Sequence, residues 1–144
     1  MKKPHYLFEE KGSFKYSFES VGLQTITKIV EFQPITYSIY NLAFGDFDEI
    51  NQNYDDEIRS NNQDIHKIFA TIFQICNHFF IQNTDKAIYL EGNTPLKQKL
   101  YQRIIKNNLS DLENNFIIFG VIGEEYEILD FSKIYDAFVI KLKK

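Results

Sequence analysis

The segment IHKIFATIFQICNHFF, residues 65–80, carries the clearest periodicity of the chain. Placed about 100° apart, its apolar residues occupy an arc of roughly 160°, which is typical of a helix buried along one side. The arc consists of Ile65, Ile68, Phe69, Ile72, Phe73, Ile75, Cys76, Phe79 and Phe80. Polar residues occupy the opposite side. The pattern predicts a helix over residues 64–82 that packs against a sheet.

The chain before this helix has the two-residue period of half-buried strands. Residues 14–18 alternate aromatic with polar side chains, and residues 23–35 are rich in β-branched residues. We therefore predict an antiparallel meander over residues 6–47. Residues 46–63 carry many acidic and amide side chains, and we predict an acidic, solvated loop there.

The chain after this helix alternates again between strand and helix patterns. We predict a strand over residues 86–93, a helix over residues 94–107 and C-terminal strands over residues 115–144. Within the last segment, the pattern of residues 132–144 fits a strand or a short helix equally. The predicted fold is α+β, with a mostly antiparallel sheet and two main helices on one face, in a single domain over residues 1–144.

The composition and charge of the chain argue against several classes of protein. A net charge of −4 and a pI of about 5.4 argue against coating nucleic acid by bulk charge. The start of the chain has no apolar signal segment, and residues 68–80 are too short to cross a bilayer, so we expect a cytoplasmic protein without a membrane partner. Cys76 is the only cysteine and the histidines are dispersed. We therefore expect no disulfide, no metal site and no cofactor.

Catalytic patterns are missing from the sequence. There is no Gly-x-Ser-x-Gly nucleophile motif, and Cys76 falls within the apolar arc of its helix, where a thiol is expected to be inert. The neighbouring acids Asp55-Asp56 and Glu124-Glu125 lie in polar surroundings, without the contrasting environments that an acid–base pair needs. We therefore predict no catalytic residue.

The stretch YLEGNTPLKQKLYQRIIK, residues 89–106, is the candidate functional segment. Thr94 followed by Pro95 is a good helix start, because threonine caps the free amides and proline lacks an amide hydrogen. Lys97 then lies in the first turn, where a cation opposes the helix dipole. An anion bound by the first-turn amides and by Lys97 would reverse the sign of that interaction.

The helical wheel separates Lys97 from the other cations of this segment. Leu96, Leu100, Tyr101, Ile104 and Ile105 form the predicted inward arc, with Lys97 near its middle, whereas Lys99, Arg103 and Lys106 lie outward. We expect Glu91, Asn93, Thr94 and Lys97 to converge on a crevice between the sheet and the helix start.

A structural interpretation competes with a binding site in residues 89–106, namely an ordinary capped helix with Lys97 paired to Glu91 and a solvated basic face. A separate binding candidate is an aromatic platform for single-stranded nucleic acid, formed by Phe14, Tyr16, Phe18, Tyr37 and Tyr40. Most of these rings are expected to belong to the core.

Several segments together resemble a family of small uncharacterised bacterial proteins. They are YSFESVG, ITKIVEFQPI, YNLAFGD, NNQDIHKIFATI and EGNTPLKQKLYQRII. In that family a strand ending in Gly-Asn/Ser-Thr-Pro leads into a basic Leu-Tyr helix. The matching positions here are Asn93, Thr94, Pro95, Lys97, Lys99, Leu100 and Tyr101. The resemblance implies a small cytoplasmic bacterial protein and implies no activity. Arginine is common in the family where this chain has Lys97 or Lys99, and lysine lacks the bidentate phosphate contact of arginine.

The sequence leaves three hypotheses of function. The first is a non-catalytic binding or regulatory module for a nucleic acid, a nucleotide or an acidic protein. Its binding residues are Asn93, Thr94, Lys97, Lys99, Tyr101 and Arg103. The second is a phosphoester-processing enzyme with Glu91 or an acid of residues 46–57 as base or metal ligand. The third is a protein-interaction module, for instance a homodimer formed through an exposed strand or an aromatic patch.

Overall fold

The computed structural model describes residues 4–48, 53–55 and 64–144, which form nine strands and three helices. The strands are β1 (Phe8–Gly12), β2 (Lys15–Val21), β3 (Thr25–Pro34), β4 (Ile39–Asp48), β5 (Asn53–Asp55), β6 (Ala87–Leu90), β7 (Phe116–Ile122), β8 (Glu125–Ile128) and β9 (Ala137–Leu142). The helices are α1 (Ile65–Gln82), α2 (Pro95–Asn107) and the short α3 (Leu109–Leu112). The predicted α+β class with two main helices is confirmed.

All nine strands belong to one sheet. Its order is β1-β2-β3-β4-β6-β9-β7-β8, and β5 pairs with the end of β4 outside this path. Every pair is antiparallel except β4 with β6. Parallel neighbours cannot be joined by a tight turn, so the connection between them must cross a face of the sheet. Helix α1 lies in that connection.

Helix α1 packs its apolar arc against one face of the sheet. Phe79 stacks on Phe32 of β3 with ring centroids 4.3 Å apart, and Phe80 lies 6.0 Å from Phe116 of β7. One helix therefore contacts strands on both sides of the β4–β6 pair. Aromatic contacts of this kind stabilise a core beyond the area that they bury.

The prediction of a loop over residues 46–63 is wrong for the residues that the structure describes, because these residues form strands. Strand β4 continues through Asp48, and residues 53–55 form β5 beside it. Asp46 stays within β4 because it lies directly opposite Lys28 of β3 and forms a largely buried ion pair with it. The rest of the predicted loop, residues 49–52 and 56–63, lies outside the described residues.

The C-terminal segment forms a strand, which resolves the open choice between strand and helix. β9 pairs with β6 on one side and with β7 on the other. Phe138 and Ile140 are fully buried towards the helices, while Val139 and Lys141 alternate with them on the opposite face. The two-residue period of the sequence fits this central strand.

Two isoleucines of α1 provide a matched test of this core. Ile75 is fully buried, whereas Ile81 is 74% exposed. We predict that Ile75→Ala lowers the free energy of unfolding by about 2–5 kcal/mol, because it leaves a cavity. Ile81→Ala should change it by less than about 0.5 kcal/mol. Urea denaturation followed by circular dichroism measures both, and equal effects would contradict the assigned orientation of α1.

Candidate functional site

The sheet divides next to β4, and this division creates the candidate site. β4 pairs with β6 only from residue 39 to residue 41, and with β5 only from residue 46 to residue 48. Among the described residues, no strand pairs with the part of β4 between these two contacts on that edge. After β6 the chain instead turns through residues 91–94 into α2. A crevice therefore lies between β4 and the start of α2.

The crevice contains a cavity of about 60 Å³. Its described lining consists of Asn41, Leu42, Ala43, Phe44, Glu91, Asn93, Lys97 and Tyr101. The lining thus includes three of the four side chains for which sequence reasoning predicts convergence. Lys97 is half-buried at this position, as its place near the inward arc of α2 implies.

The fourth residue, Thr94, caps the helix. Its backbone is extended, with φ −137° and ψ 156°, and its Oγ1 accepts a hydrogen bond of 3.1 Å from the amide of Lys97. Pro95 occupies the first helical position, and the first turn contains no acidic residue. The predicted cap is therefore confirmed, and Lys97 remains a cation at the positive end of the helix dipole.

Gly92 and Gln98 position the turn, and of these two residues the sequence analysis missed Gln98. A Cβ at Gly92 would come within 3 Å of backbone atoms of Lys97 and Gln98, so only glycine allows this close approach. The Gln98 amide oxygen accepts a hydrogen bond from the Gly92 N–H at 2.8 Å. Its Nε2 donates to the carbonyl oxygen of Tyr135 at 3.1 Å. One buried side chain thereby joins the turn, α2 and the strand-to-strand loop before β9.

The inward arc of α2 is rotated relative to the prediction. Leu96, predicted to face inward, is 63% exposed, whereas Gln98 is only 7% exposed. A buried glutamine is tolerated here because both ends of its amide are hydrogen-bonded. The spacing of Gln98 from Tyr101 and Ile105 was the available signal, since all three positions share one side of a helix.

The remaining predicted binding residues are separated by the structure. Lys99 and Arg103 are exposed on the outward side of α2, away from the crevice. Tyr101 is buried, and its ring lies 5.3 Å from that of Phe69 and 5.9 Å from that of Phe44. The ring of Tyr101 forms one wall of the cavity and offers no free face for stacking.

Glu91 is the acidic member of the lining. The Tyr89 hydroxyl donates to its Oε2 at 3.3 Å. Burial, and after it the charge of Glu91, raises the pKa of Tyr89, so this phenol remains a hydrogen-bond donor over the physiological range. The carboxylate of Glu91 is thereby held beside β6.

The other candidates from the sequence lie elsewhere in the fold. The thiol of Cys76 is fully buried, and burial raises its pKa well above the ordinary value. His78 interacts with the hydroxyl of Tyr16 at 2.9 Å. Tyr16 and Phe18 are core residues, and only Tyr37 of the proposed aromatic platform is widely exposed. Within the described parts of the chain, no three metal-ligating side chains are grouped together.

A comparison with protein-family models gives one result. Residues 2–143 match the model of a family of unknown function, DUF6934. The chain belongs to this family. No match was found among curated proteins or among solved structures. Within the described residues, no helix of this DUF6934 protein is long and apolar enough to span a membrane.

A pair of glutamines tests what positions the start of α2. Gln98 and Gln102 both bond to the loop before β9, but Gln102 does so at the exposed surface. We predict that Gln98→Glu lowers the free energy of unfolding by about 1–3 kcal/mol, because a carboxylate oxygen replaces the buried donor. Gln102→Glu should cost less than half as much in urea denaturation. Equal losses would show that burial of Gln98 is not what matters.

Proposed function

We propose that this chain is a non-catalytic binding module that recognises an anionic group in the crevice between β4 and the start of α2. The observation that carries the proposal is the half-buried Lys97, in the first turn of α2 and in the lining of a cavity. A cation at this end of a helix opposes the helix dipole by about 0.3–1 kcal/mol when exposed, so folding alone favours a neutral or acidic residue.

A bound anion would make the electrostatic energy of this arrangement favourable. The positive end of the helix dipole and the Lys97 ammonium would both face the negative charge, and each interaction stabilises it. Asn93 adds an amide side chain that can donate or accept at the rim. Glu91 opposes binding by its charge, and its hydrogen bond from Tyr89 supports a carboxylate directed towards β6.

The size of the cavity restricts what can enter it. A volume of about 60 Å³ is enough for a few water molecules or one phosphate or carboxylate group. The ligand class is therefore a phosphoryl or carboxylate group on a larger molecule, namely a nucleic acid, a nucleotide or an acidic protein. The exposed Lys99 and Arg103 would raise the local concentration of such anions.

The geometry gives little support to a phosphoester-processing enzyme. Glu91 is the single carboxylate among the described residues that line the cavity. Hydrolysis would require a second acid as metal ligand or proton donor. The second hypothesis also offered an acid of residues 46–57. Asp46 is such an acid, but it forms an ion pair with Lys28, which neutralises its charge.

Lysines on the two sides of α2 provide the test. We predict that Lys97→Gln weakens binding of inorganic phosphate, nucleotides or short oligonucleotides at low salt by about 5- to 50-fold, because a charge-assisted hydrogen bond is lost. Lys99→Gln, on the exposed side, should weaken it by about twofold or less. Isothermal titration calorimetry against each ligand class measures both and identifies the class.

Unfolding in urea without ligand serves as the control. Both variants should unfold within about 0.5 kcal/mol of the parent protein. If every ligand binds Lys97→Gln and the parent protein equally, or if none binds the parent protein at low salt, the proposal fails.

A further inference from the structure

The face of the sheet that points away from the helices carries a second surface of distinct chemistry. On β9, Val139 and Lys141 point to this face because Phe138 and Ile140 are buried towards the helices. Phe119 of β7 lies opposite Val139 and therefore shares the face. Residues from four neighbouring strands meet here, since β6 and β8 flank β9 and β7.

Aromatic rings and a lysine are interleaved on this surface. Phe119 and Tyr126 form an edge-to-face pair with ring centroids 5.4 Å apart. The Lys141 ammonium lies 5.8 Å from the centroid of each ring. Tyr126 is 60% exposed and so presents most of its ring to solvent. An exposed ring beside an ammonium offers a surface on which a base can stack and, close to it, a cation that can contact a phosphate.

A groove of about 420 Å³ runs along this surface. Among the described residues, it is lined by three lysines, Lys86, Lys141 and Lys144, and by one acid, Asp85. Lys86 pairs with Asp85 at 3.9 Å and its side chain is only 12% exposed, so the available positive charge is that of Lys141 and Lys144. The Lys86 ammonium also lies 3.7 Å above the ring of Tyr37, whose exposed fraction is 87%. The groove is thus locally basic within a chain of net charge −4.

The rest of the same face differs in charge. Towards β2 and β3 it presents acids and lysines together, with Glu9 paired to Lys11. Towards the far end of β6 it presents Glu91 beside Tyr89. Among the described residues of this face, the excess of lysine over acids lies in the groove, where the exposed ring of Tyr126 is also found.

We propose that this groove binds single-stranded nucleic acid, with a base stacked on Tyr126 and with phosphates neutralised by Lys141 and Lys144. The cations match the charge of a nucleic-acid backbone, and the exposed ring matches its bases. A duplex fits less well because its bases are already stacked on one another. A second copy of the chain also fits less well, since a symmetric contact would place one lysine groove against another.

The groove lies apart from the crevice of the proposed function. It is lined at the start of β6 by residues 84–87, whereas the crevice begins beyond the end of that strand. The two sites can therefore be tested separately. The groove also involves none of the aromatic residues of β2, which are part of the core.

Fluorescence anisotropy with a labelled oligothymidylate of about ten nucleotides tests the proposal. Tyr126→Ala should weaken binding about tenfold through the loss of one stacking surface. The Lys141→Gln, Lys144→Gln double variant should also weaken it about tenfold. The double variant should further reduce the slope of log K against log salt by about 1.4, or about 0.7 for each phosphate contact.

Two control variants match these changes. Ile128→Ala removes an exposed apolar side chain from the same strand as Tyr126, and Lys11→Gln removes an exposed lysine from β1. Neither residue lines the groove, so both variants should retain affinity within about twofold. Lys97→Gln should do the same, which keeps this proposal distinct from the crevice.

Five outcomes would overturn the assignment. The first is the absence of saturable binding by the parent protein at low salt. The second is equal loss of affinity in the control variants, and the third is binding of a duplex of equal length as tightly as the single strand. The fourth is a dimer in light scattering that Tyr126→Ala dissociates, which would assign the face to a second copy. The fifth is loss of oligothymidylate binding in Lys97→Gln alone, which would assign the binding to the crevice.

Discussion

The parallel pairing of β4 with β6 is the constraint on which the rest of the fold depends. Two parallel neighbours require a connection across one face of the sheet, and α1 in that connection buries its apolar arc there. β4 continues past the end of its pairing with β6, so the sheet divides. The crevice at the start of α2 is a direct consequence of this unequal strand length.

Polar contacts then determine how α2 begins beside the division. Gln98 connects the Gly92 turn to the loop before β9, and Gln102 bonds to the same loop one turn later. Buried polar contacts of this kind are favourable only when every group is paired, so they hold one arrangement of the chain. The half-buried position of Lys97 follows from that arrangement, since its backbone is fixed by the Thr94 cap and the Gly92 contact.

Local patterns in the sequence predict the helices and the meander well. The arc of α1 and the Thr94 cap depend on residues within one or two turns, and such signals are readable without tertiary information. Asp46 shows the limit of such local signals. Its acidic neighbourhood predicts a loop, yet a buried partner 18 residues away keeps it in β4. The burial of Gln98 likewise depends on Tyr135, which is 37 residues away.

The aromatic residues show the same limit. Alternation along a strand indicates that two faces exist, but not which face the helices cover. The alternation of Tyr16 and Phe18 with polar residues therefore does not tell whether their rings face the helices or solvent, and the same holds for the rings of Phe119 and Tyr126. The helices cover the first pair, and the second pair lies on the open face.

The most direct measurement of the central claim, an anion at the start of α2, is a nitrogen-15 NMR titration with inorganic phosphate. The account predicts saturable shifts of the Leu96, Lys97 and Gln98 amides, with the side-chain amide of Asn93 moving in step. Amides of the polar strand β1 should stay in place. Shifts spread evenly over exposed lysines, or unchanged amides at the start of α2 at saturating phosphate, would contradict it.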